Sequence, residues 1–152
     1  IIGTSLIILF VLLMIFTNEI SQTFYSKFDA KEDLKLANLT LKNDFEIIEN
    51  KVEGMPERFQ NTKLKISEND KTRIINEIKT GKYFKKSSKS RIVYSQMGNE
   101  KGIRNTVVFT NYIYQNEYVR ESYYRDKDYV PTLIIISLTE NSNILKINRT
   151  ED

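Results

Sequence analysis

The first 17 residues, Ile1 to Thr17, carry no charge, while all 23 Lys and Arg and all 20 Asp and Glu of the 152-residue chain lie beyond them. A helix through Leu6–Phe16 has no polar face, so a domain would have to enclose it on every side, and the rest of the chain makes too small a core for that. From Ile1 to Phe16 such a helix rises roughly 24 Å, and continuation through Ile20 brings it to about 30 Å, the depth of a bilayer's hydrocarbon. No A-x-A pattern follows Met14 and no Cys is present for lipid attachment, so the segment reads as retained rather than cleaved. The expectation is a single-pass transmembrane helix over 1–20. Its anchor is Leu6, Ile7, Ile8, Leu9, Phe10, Val11, Leu12, Leu13, Met14, Ile15 and Phe16, with membrane lipid as a partner. The visible flank offers Lys27, Lys31 and Lys35 diluted by Glu19, Asp29, Glu32 and Asp33. An extracytoplasmic domain is therefore expected if basic residues precede Ile1.

Missing residue types remove most chemistries. With no His and no Cys there is no Ser/His or Cys/His nucleophile pair, no Cys/His zinc site and no disulfide. Of five Gly, the closest pair is Gly98 and Gly102, and no G-x-G-x-x-G or Walker loop exists to cradle a phosphate. A net charge of +3 and a pI near 8.9 are too mild to indicate nucleic acid. No catalytic residue, cofactor or metal is expected, and the chain does not read as an enzyme.

Past the apolar run, Ile20, Phe24 and Phe28 recur every four residues, which predicts a helical stalk, with 21–42 as stalk and connector. Residues 43–152 read as the folded domain. Phe45–Val52 and Thr62–Ile66 are strand-like around the turn residues Gly54, Met55 and Pro56, predicting a hairpin. Ser67 can cap a helix whose first turn holds Glu68 and Asp70 and whose apolar face is Ile74, Ile75 and Ile78. Gly81 is expected to end it in a left-handed conformation. Strands are then predicted at Arg91–Gln96, Thr106–Gln115, Tyr118–Tyr124, Tyr129–Leu138 and Ile144–Asn148, separated by short gaps that suit antiparallel neighbours. Leu133–Ile136 reads as a central strand buried on both sides, with Pro131 tolerated near its start. The expected class is α+β: an N-terminal transmembrane helix, then a small domain with an antiparallel β-meander and one packed helix.

Two surfaces are candidates for contact. Lys79, Lys82, Lys85, Lys86, Lys89 and Arg91 place six cations in thirteen residues without an acid, a pattern that suits an anionic surface. It also suits a solvated loop at a helix C-terminus, where the dipole favours cations. Tyr112, Tyr114, Tyr118 and Tyr124 can form a row on one face of a hairpin and serve as a partner surface, or cover the sheet beneath a helix; Phe109, Ile113 and Val119 would then form the opposite, core-facing side. Glu46, Glu49, Glu53 and Glu57, with Lys51 and Arg58, read as an exposed hairpin surface, and Asp126 with Asp128 lacks the further ligands of a calcium loop.

The segments FEIIENK, KLKISENDKTRIINEIK and LIIISLTENSNILKI resemble the many short single-pass membrane proteins of low-GC bacteria to which no activity is assigned. That resemblance implies location and no catalytic residues. The layout of an apolar N-terminal helix, a polar extension and a C-terminal antiparallel sheet is also similar to type IV pilins and pseudopilins, with Ser5 where that family usually carries Glu. The expected function is a membrane-anchored accessory or interaction domain, with a protein partner or self-assembly. The alternative is a pilin-like subunit assembling through its apolar helix, and a carboxylate-dependent enzyme comes last.

Overall fold

The computed structural model describes residues 6–10, 12, 24–54, 57–81, 84–86, 108–124 and 131–151. Six strands, β1 (Glu46–Glu53), β2 (Arg58–Lys65), β3 (Val108–Tyr114), β4 (Glu117–Tyr124), β5 (Thr132–Leu138) and β6 (Ile144–Glu151), form one antiparallel sheet in the order β1-β2-β6-β5-β4-β3. The last strand thus closes the sheet by inserting between the first hairpin and the later strands. Its register on β2 runs unbroken from Arg58↔Glu151 to Lys65↔Ile144. The β3–β4 turn is built on Gln115 and Asn116, with φ of 48° and 65°. Two successive positive φ values are the twist-compatible solution for a two-residue hairpin loop.

Alternation along the strands divides the side chains between two faces. Leu64, Ile134, Ile136, Leu138, Leu145 and Ile147 point to one face and form the main core with Ala30, Leu34, Ile74, Ile75 and Ile78. The opposite face carries a second cluster of Tyr112, Val119, Leu133 and Ile135. All seven residues of β5 are buried, so this strand supplies both clusters.

Two helices, α1 (Lys27–Leu36) and α2 (Glu68–Lys79), cover the first face. At 10 and 12 residues, neither is long enough to persist on propensity alone, so packing and caps have to hold them. The N-terminus of α1 is a capping box, in which the Ser26 hydroxyl accepts from the Asp29 amide and Asp29 accepts from the Ser26 amide at 2.8 Å. It ends in a Schellman motif. Asn38, at φ 51°, donates to Lys35 O, and Leu39 donates to Leu34 O, both at 2.8 Å.

The start of α2 is tied to the chain that follows α1. Buried Asp70 accepts from the amides of Lys42 and Asn43 at 3.0 and 2.9 Å, and from Arg73 Nη2 at 2.9 Å. Burial alone would raise its pKa, but Arg73 and the two amides outweigh it and hold the carboxyl well below the usual range. At the other ends of the helices, buried Arg120 on β4 donates to Ala37 O and Asn38 O after α1 and to Glu77 O in α2, at 3.3–3.4 Å. Asn111 Oδ1 accepts from its Nε at 2.9 Å and holds the guanidinium in place.

Several expectations are corrected here. No helix among the described residues is long and apolar enough to cross a membrane. Of the expected span over 1–20, residues 6–10 and 12 are described, and they are helical. The anchor residues Val11, Leu13, Met14, Ile15 and Phe16 lie outside the described residues. The transmembrane helix, the single-pass membrane location and the extracytoplasmic placement are therefore not retained. The expected meander with one packed helix becomes a six-stranded sheet that includes the first hairpin, with two helices on it. The helix over Lys27–Leu36 does not continue from Phe24, because the Ser26 cap holds an extended backbone at φ −110°, ψ 170°. Gly81 is not left-handed; a Cβ there would sit 2.3 Å from Asn111 Nδ2, so the position requires space. The strand expected at Arg91–Gln96 lies outside the described residues.

Two outcomes follow for stability. Asp70→Asn should cost about 2 kcal/mol at pH 7 in urea unfolding. A carboxyl depressed in the folded state stabilises fully above its unfolded value of about 3.9 and loses that contribution as pH falls through the folded value. The gap between wild type and variant should thus stay constant from about pH 7 to 5 and shrink below about pH 4; a gap that widens toward acid contradicts the assignment. Gly81→Ala and Gly81→Asn should both cost about 1–3 kcal/mol by displacing Asn111. A left-handed cap would instead tolerate Asn, so a harmless Gly81→Asn rules the steric role out.

Candidate interaction surface

The carboxylates and cations inside the fold are largely committed to one another. Under α1, Asp33 Oδ1 accepts from Arg149 Nη1 and Asp33 Oδ2 from the Tyr25 hydroxyl, both at 2.6 Å, and Arg149 continues to Glu151 at 2.5 Å. Burial pushes the Asp33 carboxyl up, against the downward pull of Tyr25 and Arg149. The same burial, with the Asp33 charge, raises the Tyr25 phenol. The raised carboxyl is thus a pinned structural group, which ties α1 to the sheet. Asn50 Oδ1 accepts from Gln60 Nε2 and Thr62 Oγ1 at 2.8 Å, adding polar side-chain contacts between β1 and β2.

The basic cluster is only partly described, since Lys82, Lys89 and Arg91 lie outside the described residues. Lys79 is engaged within the fold, 3.0 Å from Glu140 Oε1 and 4.6 Å from the Tyr118 ring centre. Lys85 and Lys86 are exposed, and the Lys85 main chain bridges β3. The tyrosine row is divided. Tyr112 lies opposite Val119 and Tyr114 opposite Glu117, on the face of the second cluster, whereas Tyr118 lies opposite Ile113 on the helix-covered face. Tyr124, paired with Thr132, shares the face of Tyr118. Tyr112 is fully buried and donates its hydroxyl to buried Glu121. Of Phe109, Ile113 and Val119, expected together on the core side, Ile113 and Val119 consequently fall on opposite faces, and the Phe109 side chain lies outside what the structure describes.

Apolar exposure on the sheet falls elsewhere. Among the strand residues whose side chains are described, the large hydrophobic ones left exposed are Ile48 at 50% and Phe59 at 40%, both in the β1–β2 hairpin. Ile48 sits where the β1–β2 register shifts between Ile47 and Glu49, a bulge at the margin of the sheet. Phe59, opposite Glu53, lines a cavity of about 570 Å³ on the face away from the helices, with Leu133, Ile135 and Glu121 deeper in it. Between these two sites, Glu49 accepts from Lys63 Nζ at 2.7 Å and pairs with Lys51 at 3.1 Å. The hairpin acids expected at the surface are there: Glu46, Glu53 and Glu57 are exposed and Glu49 is half-buried.

Sequence reasoning passed over Ile48 and Phe59. The doublet Ile47-Ile48 breaks strict alternation and is the signal a bulge leaves. Phe59 had a weaker one, an aromatic alternating with Gln60 and Thr62, which point to the opposite, buried face. No family model, curated protein or solved structure matches this chain.

Proposed function

We propose that this chain is a protein-interaction domain that works through the margin of its sheet formed by β1 and β2. The observation that carries the reading is the location of Ile48 and Phe59, the exposed large hydrophobics of the described strands, in one hairpin. Two exposed apolar side chains on the marginal hairpin, with charged residues between them, offer a partner two anchor points. The adjoining cavity gives an incoming side chain somewhere to seat. Carboxylate chemistry has less to support it, since Asp33, the buried acid with a raised pKa, is spent on Tyr25 and Arg149.

A second reading, assembly of copies into a filament through the N-terminal helical residues, draws on one observation. Leu6, Ile7, Ile8, Leu9, Phe10 and Leu12 are all 45–65% exposed, and a helix apolar at each described position needs cover on more than one side. Electron microscopy of the purified chain separates the two, because a marginal contact through β1–β2 predicts no long polymers.

Photo-crosslinking side chains placed at 48 and 59 in the producing cell, with exposed position 141 as control, test the first reading. Adducts are expected at 48 and 59 and not at 141. Equal labelling at all three, or none at any, contradicts it.

A further inference from the structure

The two margins of the sheet differ. Along β3 the chain supplies its own neighbour, since the Lys85 amide donates to Asn111 O at 2.9 Å and the Ile113 amide donates to Lys85 O at 3.2 Å. Along β1, by contrast, β2 is the one strand neighbour among the described residues. The bulge at Ile48 bounds a regular stretch, with Glu49 to Glu53 in unbroken register on β2 from Lys63 to Phe59.

We propose that β1 pairs antiparallel with β1 of a second copy of this chain, about a two-fold axis at Asn50. This rests on the interaction reading above and names the partner of the same margin. The choice of a second copy comes from self-complementary charge. With the axis at Asn50, Glu49 faces Lys51 of the second copy and Lys51 faces its Glu49, so the pairing forms two opposite-charge contacts on the face away from the helices. Ile48, the extra residue of the bulge, lies just outside the paired stretch. Like charges nowhere meet. Moving the axis to Glu49 sets Glu49 against itself, and moving it to Lys51 sets Lys51 against itself and Glu49 against Glu53. These shifts are the ones that keep the helices of both copies on the same side of the joined sheet, so charge selects Asn50 among them. The interface is isologous, as a two-fold contact requires. A strand margin of this length is smaller than a standard interface, so the dimer is weak and dependent on concentration.

The absence of Cys from the chain gives a register-specific test. Residues facing each other across an antiparallel pair have Cα atoms about 4.5–5.5 Å apart, within the disulfide range. Glu49→Cys and Lys51→Cys chains should therefore cross-link when mixed under mild oxidation, with at least about tenfold more dimer than either forms alone, because equal positions lie beyond about 7 Å. Equal yields from the mixture and the single variants, or no cross-linking in the mixture, overturn the proposal. In sedimentation equilibrium, Glu49→Lys should weaken dimerisation about tenfold and the exchanged variant Glu49→Lys/Lys51→Glu should restore it. Thermal unfolding of each variant confirms that the fold is intact, and failure of the exchange to restore dimers overturns the register. If a photo-crosslinker at 48 traps a different protein while the Cys mixture yields nothing, self-pairing fails and the interaction reading stands. If position 48 and position 59 trap nothing at all, the interaction reading itself fails.

Discussion

Arg120 is where the helices and the sheet become one body. Its guanidinium is buried on β4, oriented by Asn111, and shared between the carbonyls that close α1 and the Glu77 carbonyl near the end of α2. Burial lowers the guanidinium's pKa against the pull of the Glu77 charge, and the carbonyls at the two helix ends, each the negative pole of its helix, accept its N–H groups. Because one rigid donor fork meets both helix ends, neither helix can shift along the sheet without leaving part of a buried cation unpaired. Asp70 does the corresponding work at the start of α2, fixing the segment between α1 and β1 through the amides of Lys42 and Asn43.

This double tethering decides which surfaces are left for contact. The helix-covered face is filled by the isoleucines and leucines of β5, β6 and both helices. Fully burying each such side chain contributes about 1.5–3 kcal/mol, and opening that face to a partner would forfeit it. One margin of the sheet is bridged by Lys85, so among the described residues β1 with its hairpin partner is where an unbridged strand margin and exposed apolar side chains coincide. The bulge at Ile48 limits how much of that margin another strand can use.

Local patterns were legible, and distant ones were not. The Ser67 cap, the acids of the first turn and the Ile74, Ile75 and Ile78 face located α2 because each signal lies within the helix itself. For α1 the spacing of Ile20, Phe24 and Phe28 drew attention to the wrong face. Phe24 and Phe28 are 74% and 71% exposed, while the true inward residues, Ala30, Asp33 and Leu34, include a small side chain and a carboxylate. The capping box at Ser26 and Asp29 and the left-handed Asn38 were available signals, weaker in appearance than the aromatic period. The tyrosine row dissolved because the turn at Gln115 and Asn116 pairs even positions of β3 with odd positions of β4, and a one-residue difference in register exchanges faces. The pairing of β2 with β6 joins residues 79 to 93 positions apart, and nothing in either strand names its partner. Nothing within β4 itself singles out Arg120. Its role depends on where two separate helices end.

The central claim is that this fold commits its helix face to its own core and keeps β1 for contact, and residue-resolved amide hydrogen exchange as a function of protein concentration tests it most directly. The account predicts that outward-facing amides between Ile48 and Val52 gain protection as concentration rises, while those of α1, α2 and β5 keep the same high protection throughout. Concentration-independent exchange along β1, or a gain in protection on the helices instead, would contradict it.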